Sequence, residues 1–263
     1  MLTRATATEF GRVANSGRTK PVMLVCADST EADIEVYAKL SVRCEQGVTH
    51  LAREAIAACL AADLGLPIPR PYLVEMSPAW IASIPDAEMR ATMADSCPIA
   101  FGSRGAGSQF GTWHAGIMVR PGMVAVALGI FVFDAIIQND DRRLGNPNCL
   151  VRGEQVRIID HELAFTHRLL IEWQPPWQLG ALRRLAEPGA HIFREPLRRR
   201  DRDFTSIRAA WAGLPDSRIE RYATALPIEW AAAEPDVAAA ISLIKGARDH
   251  IDACLTEIER VLT

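Results

Sequence analysis

The chain has 263 residues, a net charge of −3 and 49% apolar residues, enough for one large domain or two lobes with real cores. Such a charge excludes a global attraction for polyanions. Residues 1–9 lack the apolar segment of a secretory leader, and the longest apolar run, ahead of Asp134, is shorter than the roughly 20 residues that cross a bilayer, so a cytoplasmic protein without a membrane anchor is expected.

The first 40 residues read as β structure: a strand at Thr6–Val13, a turn at 14–20, a strand at Pro21–Ala27 and a third at Ile34–Leu40, with Lys39 near its end. The turn Asn15-Ser16-Gly17-Arg18-Thr19 has two readings, an ordinary hairpin or a phosphate loop in which Gly17 lets the backbone approach an anion. No GxxxxGK[ST] motif is present. His50–Leu64 reads as an Ala-rich helix closed by Gly65 and Pro67, with Glu54 on its first turn. Glu54 is either a partner for the helix dipole or the acid that orients Lys39.

A strand at Pro69–Met76, a helix at Pro85–Asp95 and a short strand at Pro98–Phe101 follow. The glycine-rich stretch Gly102–Gly107 reads as a flexible linker. The expected organisation is a β-rich unit over 1–103 and a mainly helical unit over 104–263.

Met123–Ile137 is apolar nearly all round and should be a buried helix. Asp134 interrupts it and needs a partner there, expected to be the backbone of the following loop. That loop, 139–148, is irregular and polar, and a hairpin over 151–159 delivers Asp160. Two carboxylates, Asp141 and Asp160, and the carboxamide of Asn146 are thus supplied by a tight loop and the strand return behind it. Phosphoryl transfer to a hydroxyl needs such a set: one carboxylate to orient and deprotonate the acceptor, an amide oxygen and a second carboxylate to hold Mg²⁺ on the phosphates of ATP.

Beyond Phe165, helices are expected over 178–187, 201–212, 216–225 and, as one unbroken element, 237–262. Arg194, Arg198, Arg199, Arg200 and Arg202 read as a solvated basic face, with nucleic-acid contact as the sharper alternative. The six cysteines and six histidines show no CxxC, HxxxH or mixed spacing, so buried reduced thiols are expected and a zinc site is not.

The segments VYAKL (36–40), LAREAIAACLAADLGLPIPRPYLVEM (51–76), FVFDAIIQNDDRRLGNPNCL (131–150) and IIDHELAF (158–165) together resemble the HipA-like serine/threonine kinases, in particular the short bacterial group. The resemblance implies an α+β, two-lobed atypical protein-kinase fold, distantly related to phosphoinositide kinases, with a β-rich N-lobe and a helical C-lobe. It implies Asp141 as catalytic base, Asn146 and Asp160 as Mg²⁺ ligands, Lys39 on the ATP phosphates, Glu54 as its partner and Ser16-Gly17 in the phosphate loop. The implied partner is a protein with an accepting Ser or Thr hydroxyl. Longer toxins of the family carry an extra N-terminal subdomain and an antitoxin-contacting surface, which this shorter chain is not expected to share in full. Two departures stand out: Asp-His-Glu replaces Asp-Phe-Gly at 160–162, and Arg143 stands where related loops often carry His. Alternative readings are a nucleotide-binding or interaction module without transfer, and a small-molecule kinase of the aminoglycoside or lipid type.

Overall fold

The computed structural model describes residues 2–14, 17–28 and 33–263. Strands β1 (Thr3–Val13), β2 (Val22–Ala27), β3 (Asp33–Lys39), β4 (Pro71–Glu75) and β5 (Ile99–Arg104) close into a barrel in the order β1-β2-β3-β5-β4. β1 begins earlier than the sequence pattern indicates because Thr3–Thr6 pair in parallel with β4. Further along, β1 pairs antiparallel with β2 through two register shifts, the bulges by which a strand bends to serve two neighbours. Alternation does the rest: Ile34, Val36 and Ala38 point into the barrel core, which leaves Lys39 on the opposite face.

The glycine stretch expected as a linker is strand through Arg104. Gly102 pairs with Ala38 and Tyr72. A Cβ placed there would come within 2.4 Å of Val36 Cγ1 and 2.6 Å of Val74 Cγ2. This glycine is thus required by close packing, where composition predicts a flexible linker.

Helix α1 (Val48–Asp63) is buried on every side from His50 to Ala61. Leu51, Ala52, Ala55 and Ala58 pack against Leu73, Ile99 and Phe101 of the barrel, while Ile56, Ala57, Leu60 and Ala61 belong to the helical core. Small alanines allow both contacts at once, which explains the composition better than helix propensity alone. Short helices α2 (Pro78–Ala82), not expected from the sequence, and α3 (Ala87–Ala94) start at Ser77 and Asp86, whose side chains accept from the Trp80 and Met89 amides, ordinary N-caps.

Strand β6 (Gly111–Thr112) joins β7 (Cys149–Arg152) and β8 (Gln155–Ile158) in a small sheet. Between them runs α4 (Val124–Ile137), wholly buried from Ala127 onward, as its uniform apolarity predicts. Around it lie α5 (Arg194–Arg198), α6 (Thr205–Ala212), α7 (Asp216–Thr224), α8 (Glu234–Asp249) and α9 (Ile251–Leu262). These elements and the mixed content fit an α+β fold.

Two expected helices differ. Residues 178–187 form turns with one 3₁₀ segment, Arg183–Ala186. The long C-terminal helix is broken at His250 (φ −114°, ψ 28°), where Trp177 stacks on the imidazole at 5.2 Å and closes against Gly246. The basic stretch is partly solvated, with Arg198, Arg199 and Arg200 exposed, Arg202 half-buried and Arg194 buried, but most of it is not free. Arg202 forms a bidentate pair with Glu259, Arg194 and Arg198 donate to the carbonyls of Val261 and Thr263, and Arg200 donates to that of Val119. Four of its arginines thus hold the end of α9 and the Val119 loop in place.

Among the described residues no helix is long and apolar enough to cross a membrane. All six cysteines are unpaired, and only Cys97 is partly exposed.

Candidate active site

The end of β3 presents Lys39 to α1. Its Nζ donates to Glu54 Oε2 at 2.9 Å, Asp160 Oδ1 at 2.6 Å and Glu162 Oε2 at 2.9 Å. Glu54 lies on the second turn of α1, since the helix starts at Val48 and has no acid in its first turn; the dipole reading therefore falls. Burial opposes the charge on Glu54, but the Lys39 ammonium and the His161 contacts overcome it and hold the carboxyl well below the usual range. Burial likewise opposes the ammonium, and the three acids outweigh it, raising Lys39 well above an ordinary lysine. Burial raises Glu162, which the lysine only partly offsets. One cation against three carboxylates leaves an excess of negative charge in a poorly solvated place.

The loop after α4 supplies the rest. Asp141 Oδ2 accepts from Asn146 Nδ2 at 2.6 Å and from Asn148 Nδ2 at 3.1 Å. Burial and then the field of Asp160 raise the Asp141 carboxyl, against those two amides. That field couples the loop to the Lys39 cluster. Arg143 is exposed, 4.0 Å from Asp141 Oδ1.

Beneath the loop lies a buried network that the sequence did not reveal. Asp134 Oδ2 takes Arg142 Nε at 2.6 Å and His191 Nε2 at 3.0 Å, while Oδ1 takes Asn139 Nδ2 at 2.7 Å. Its expected partner was the loop backbone; the partners are side chains instead. Arg142, with no exposed surface, also donates to the carbonyls of Asn148 and Ile159 and lies 2.8 Å from His161 Nε2. A guanidinium only donates, so Nε2 accepts and the ring proton sits on Nδ1, which faces Glu54 Oε1 at 3.5 Å. The His161 amide donates to Glu54 Oε2 at 2.8 Å. A continuous polar path therefore runs from Lys39 through Glu54, His161 and Arg142 to Asp134 and His191.

Backbone strain gathers at the same place. Gln138, Asn148, Asp160 and Phe165 all have left-handed φ between 42° and 63°. Asn148 and Asp160 are of the types that tolerate that region best, whereas Gln138 and Phe165 each cost roughly 1 kcal/mol or more, which surrounding contacts must offset.

Of the residues expected at the site, Lys39, Glu54 and Asp160 are in direct contact, and Asn146 is on Asp141. Gly17 sits in the β1–β2 turn with φ +96°, at the barrel end where Val22 pairs with Ala38. Ser16 lies outside the described residues. Sequence reasoning missed Glu162, Arg142 and His161. The signal for Glu162 and His161 was the unusual Asp-His-Glu triplet itself.

Behind the loop a cavity of about 560 Å³ is lined by Gln138, Asp140, Glu172, Trp173, Arg183 and Arg184 among others. Burial raises the Asp140 carboxyl, opposed by Arg184.

These features define an α+β protein with a strained acid-rich loop facing a buried, clamped lysine. A family model described as HipA-like kinase matches residues 8–259, and the chain belongs to that family. Membership suggests a kinase-type phosphotransferase and implies ATP with a divalent metal. Comparison with curated proteins finds no match.

Proposed function

We propose that the chain is an ATP- and Mg²⁺-dependent phosphotransferase acting on a Ser or Thr hydroxyl of a protein. The observation that carries this reading is the contact of Lys39 with both Glu54 and Asp160, with Asp141 in the field of the same Asp160. A two-lobed kinase arrangement, with residues 1–103 and 104–263 as its parts, belongs to the same proposal, as does a location in the cytoplasm.

In this reading Lys39 binds the ATP phosphates, held upright by Glu54. Asp141 is the base: its raised affinity for a proton suits acceptance from a hydroxyl, and Asn146 and Asn148 fix its orientation. The oxygen donors and the uncompensated negative charge around Lys39 suit a hard divalent cation. Asn146 and Asp160 would hold it, and a bound Mg²⁺ neutralises charge on the phosphates. Gly17 with Ser16 would cover the phosphates. Positioning supplies most of the acceleration.

The test is incubation of the full chain with ATP, Mg²⁺ and candidate protein acceptors, read by intact mass and phosphosite mapping. Asp141→Asn is expected to lose turnover by about 10²-fold or more while keeping ATP binding. Full activity in that variant removes the base assignment. Nucleotide binding without any phosphorylated product in the unmodified protein supports instead an interaction module that lacks transfer.

A second reading, a small-molecule kinase, is favoured by the cavity beside Asp140, whose size suits a compact polar acceptor. Phosphorylation of small alcohols with no protein product would decide for it. A regulatory or antitoxin-like partner remains compatible with either.

A further inference from the structure

We propose that Cys44, His50 and Glu162 form a binding site for a divalent ion of the zinc class, set against the Lys39 cluster. The three come from separate stretches: the turn after β3, the first turn of α1, and the residue two beyond Asp160. One candidate ligand atom from each, a thiol sulfur, an imidazole nitrogen and a carboxylate oxygen, lie within 4.8 Å of one another. Cys44, His50 and Glu162 are 6%, 3% and 7% exposed, so none is a surface group gathered by chance. His50 Nδ1 is buried with no hydrogen-bond partner. A buried polar atom left so costs about 1–3 kcal/mol, a cost that a metal bond to that nitrogen would remove.

The ligand chemistry selects the ion. Thiolate and imidazole with one carboxylate suit zinc and its neighbours, and do not suit Mg²⁺ or Ca²⁺. Zinc bonds of about 2.0–2.3 Å at tetrahedral angles separate ligand atoms by about 3.5 Å, so an inward shift of about 1 Å closes the site. Three protein ligands leave the fourth position to water.

Burial and the neighbouring carboxylates push the Cys44 thiol up to about 12, so the thiolate forms only with a cation beside it. Lys39 faces Glu54, Asp160 and Glu162, a formal sum of −2. A dication with the Cys44 thiolate adds +1 to that pocket. Binding forms metal–sulfur, metal–nitrogen and metal–oxygen bonds and sends the Cys44 thiol proton to solvent, with nothing oxidised or reduced. The second acidic grouping here, Glu54 with Asp160 and Glu162, has the Lys39 ammonium in hydrogen-bond contact with all three and offers oxygen donors only, which do not suit the zinc class as sulfur and nitrogen do. Glu162 is shared between lysine and ion, which makes the site a lever on how Lys39 is held. The separations 44, 50 and 162 follow no metal-binding motif, which is why spacing alone argued against zinc.

The test uses the metal-stripped full chain without nucleotide, so its outcome is independent of the phosphotransfer reading. Titration with Co²⁺ is expected to give a saturable 1:1 thiolate-to-cobalt absorption, displaced by Zn²⁺ and not by Mg²⁺. That absorption should be lost in Cys44→Ala and in His50→Phe and kept in Cys97→Ala, with folding checked by circular dichroism. Absence of the thiolate absorption in the unmodified protein, or its survival in folded Cys44→Ala, overturns the proposal. Zinc-edge X-ray absorption on the unmodified, zinc-loaded chain needs no substitution: one sulfur neighbour supports the site, and nitrogen and oxygen neighbours alone overturn it.

Discussion

His161 and Glu54 meet at two points: the His161 amide donates to Oε2 at 2.8 Å, and the imidazole Nδ1 lies 3.5 Å from Oε1 without a hydrogen bond. They are 107 residues apart in sequence, and their contact joins the clamped lysine to the buried network under the Asp141 loop. Removing parts of that path should cost stability in proportion to the charge left unpaired. Arg142→Met leaves Asp134 ionised with only His191 and Asn139, and should destabilise the fold by about 3–5 kcal/mol. His161→Leu removes the Nε2 acceptor of Arg142 and no fixed charge, keeps the amide bond to Glu54, and should cost about 1–3 kcal/mol. Urea denaturation of the two variants ranks them; equal costs would break the argument.

Lys39 and Glu162 should be coupled. Lys39→Met leaves three carboxylates facing one another and should destabilise by about 3–5 kcal/mol. Adding Glu162→Gln removes one of the like charges, so the double variant should recover part of that loss, with an interaction energy of about 0.5–3 kcal/mol in a double-mutant cycle. Simple additivity would mean that Glu162 does not feel the lysine.

Gly102→Ala tests the barrel. The added methyl meets Val36 and Val74 well inside contact distance, and both side chains are fully buried. Overpacking of this kind costs about 1–3 kcal/mol. Gly105→Ala, three residues on and meeting nothing closer than 3.6 Å, should be tolerated. Thermal midpoints of the pair compare them directly.

Acid should unfold the protein through Glu54 and Asp134. Burial opposes both charges, and the ion pairs with Lys39 and Arg142 overcome it, holding both carboxyls well below their usual values. The unfolded chain then binds more protons below about pH 4, so their stabilisation is complete above that pH and is lost as pH falls toward the folded values. Each group contributes a slope of up to about 1.4 kcal/mol per pH unit in that window. Asp134→Asn, though less stable at neutral pH, should show a shallower slope between pH 4 and 2 in urea titrations. An unchanged slope would remove Asp134 from the account.

Local chemistry made much of this protein legible from its residues. A uniformly apolar run gives α4 because no face of it tolerates water, and a polar loop with Gly145 and Pro147 must follow. Alternation in Ile34–Lys39 sets the lysine opposite the barrel core, and the order of a strand lysine followed by a helix acid anticipates the contact of Lys39 with Glu54. Folding alone decided the rest: Glu162 as a third acid on Lys39, Arg142 and His161 as the link beneath the loop, four arginines that hold α9 and the Val119 loop, and the break at His250. Hydrophobic periodicity reports which side of an element is buried. The partner of a buried charge depends on strand register and helix placement across a hundred residues or more, which no local pattern encodes.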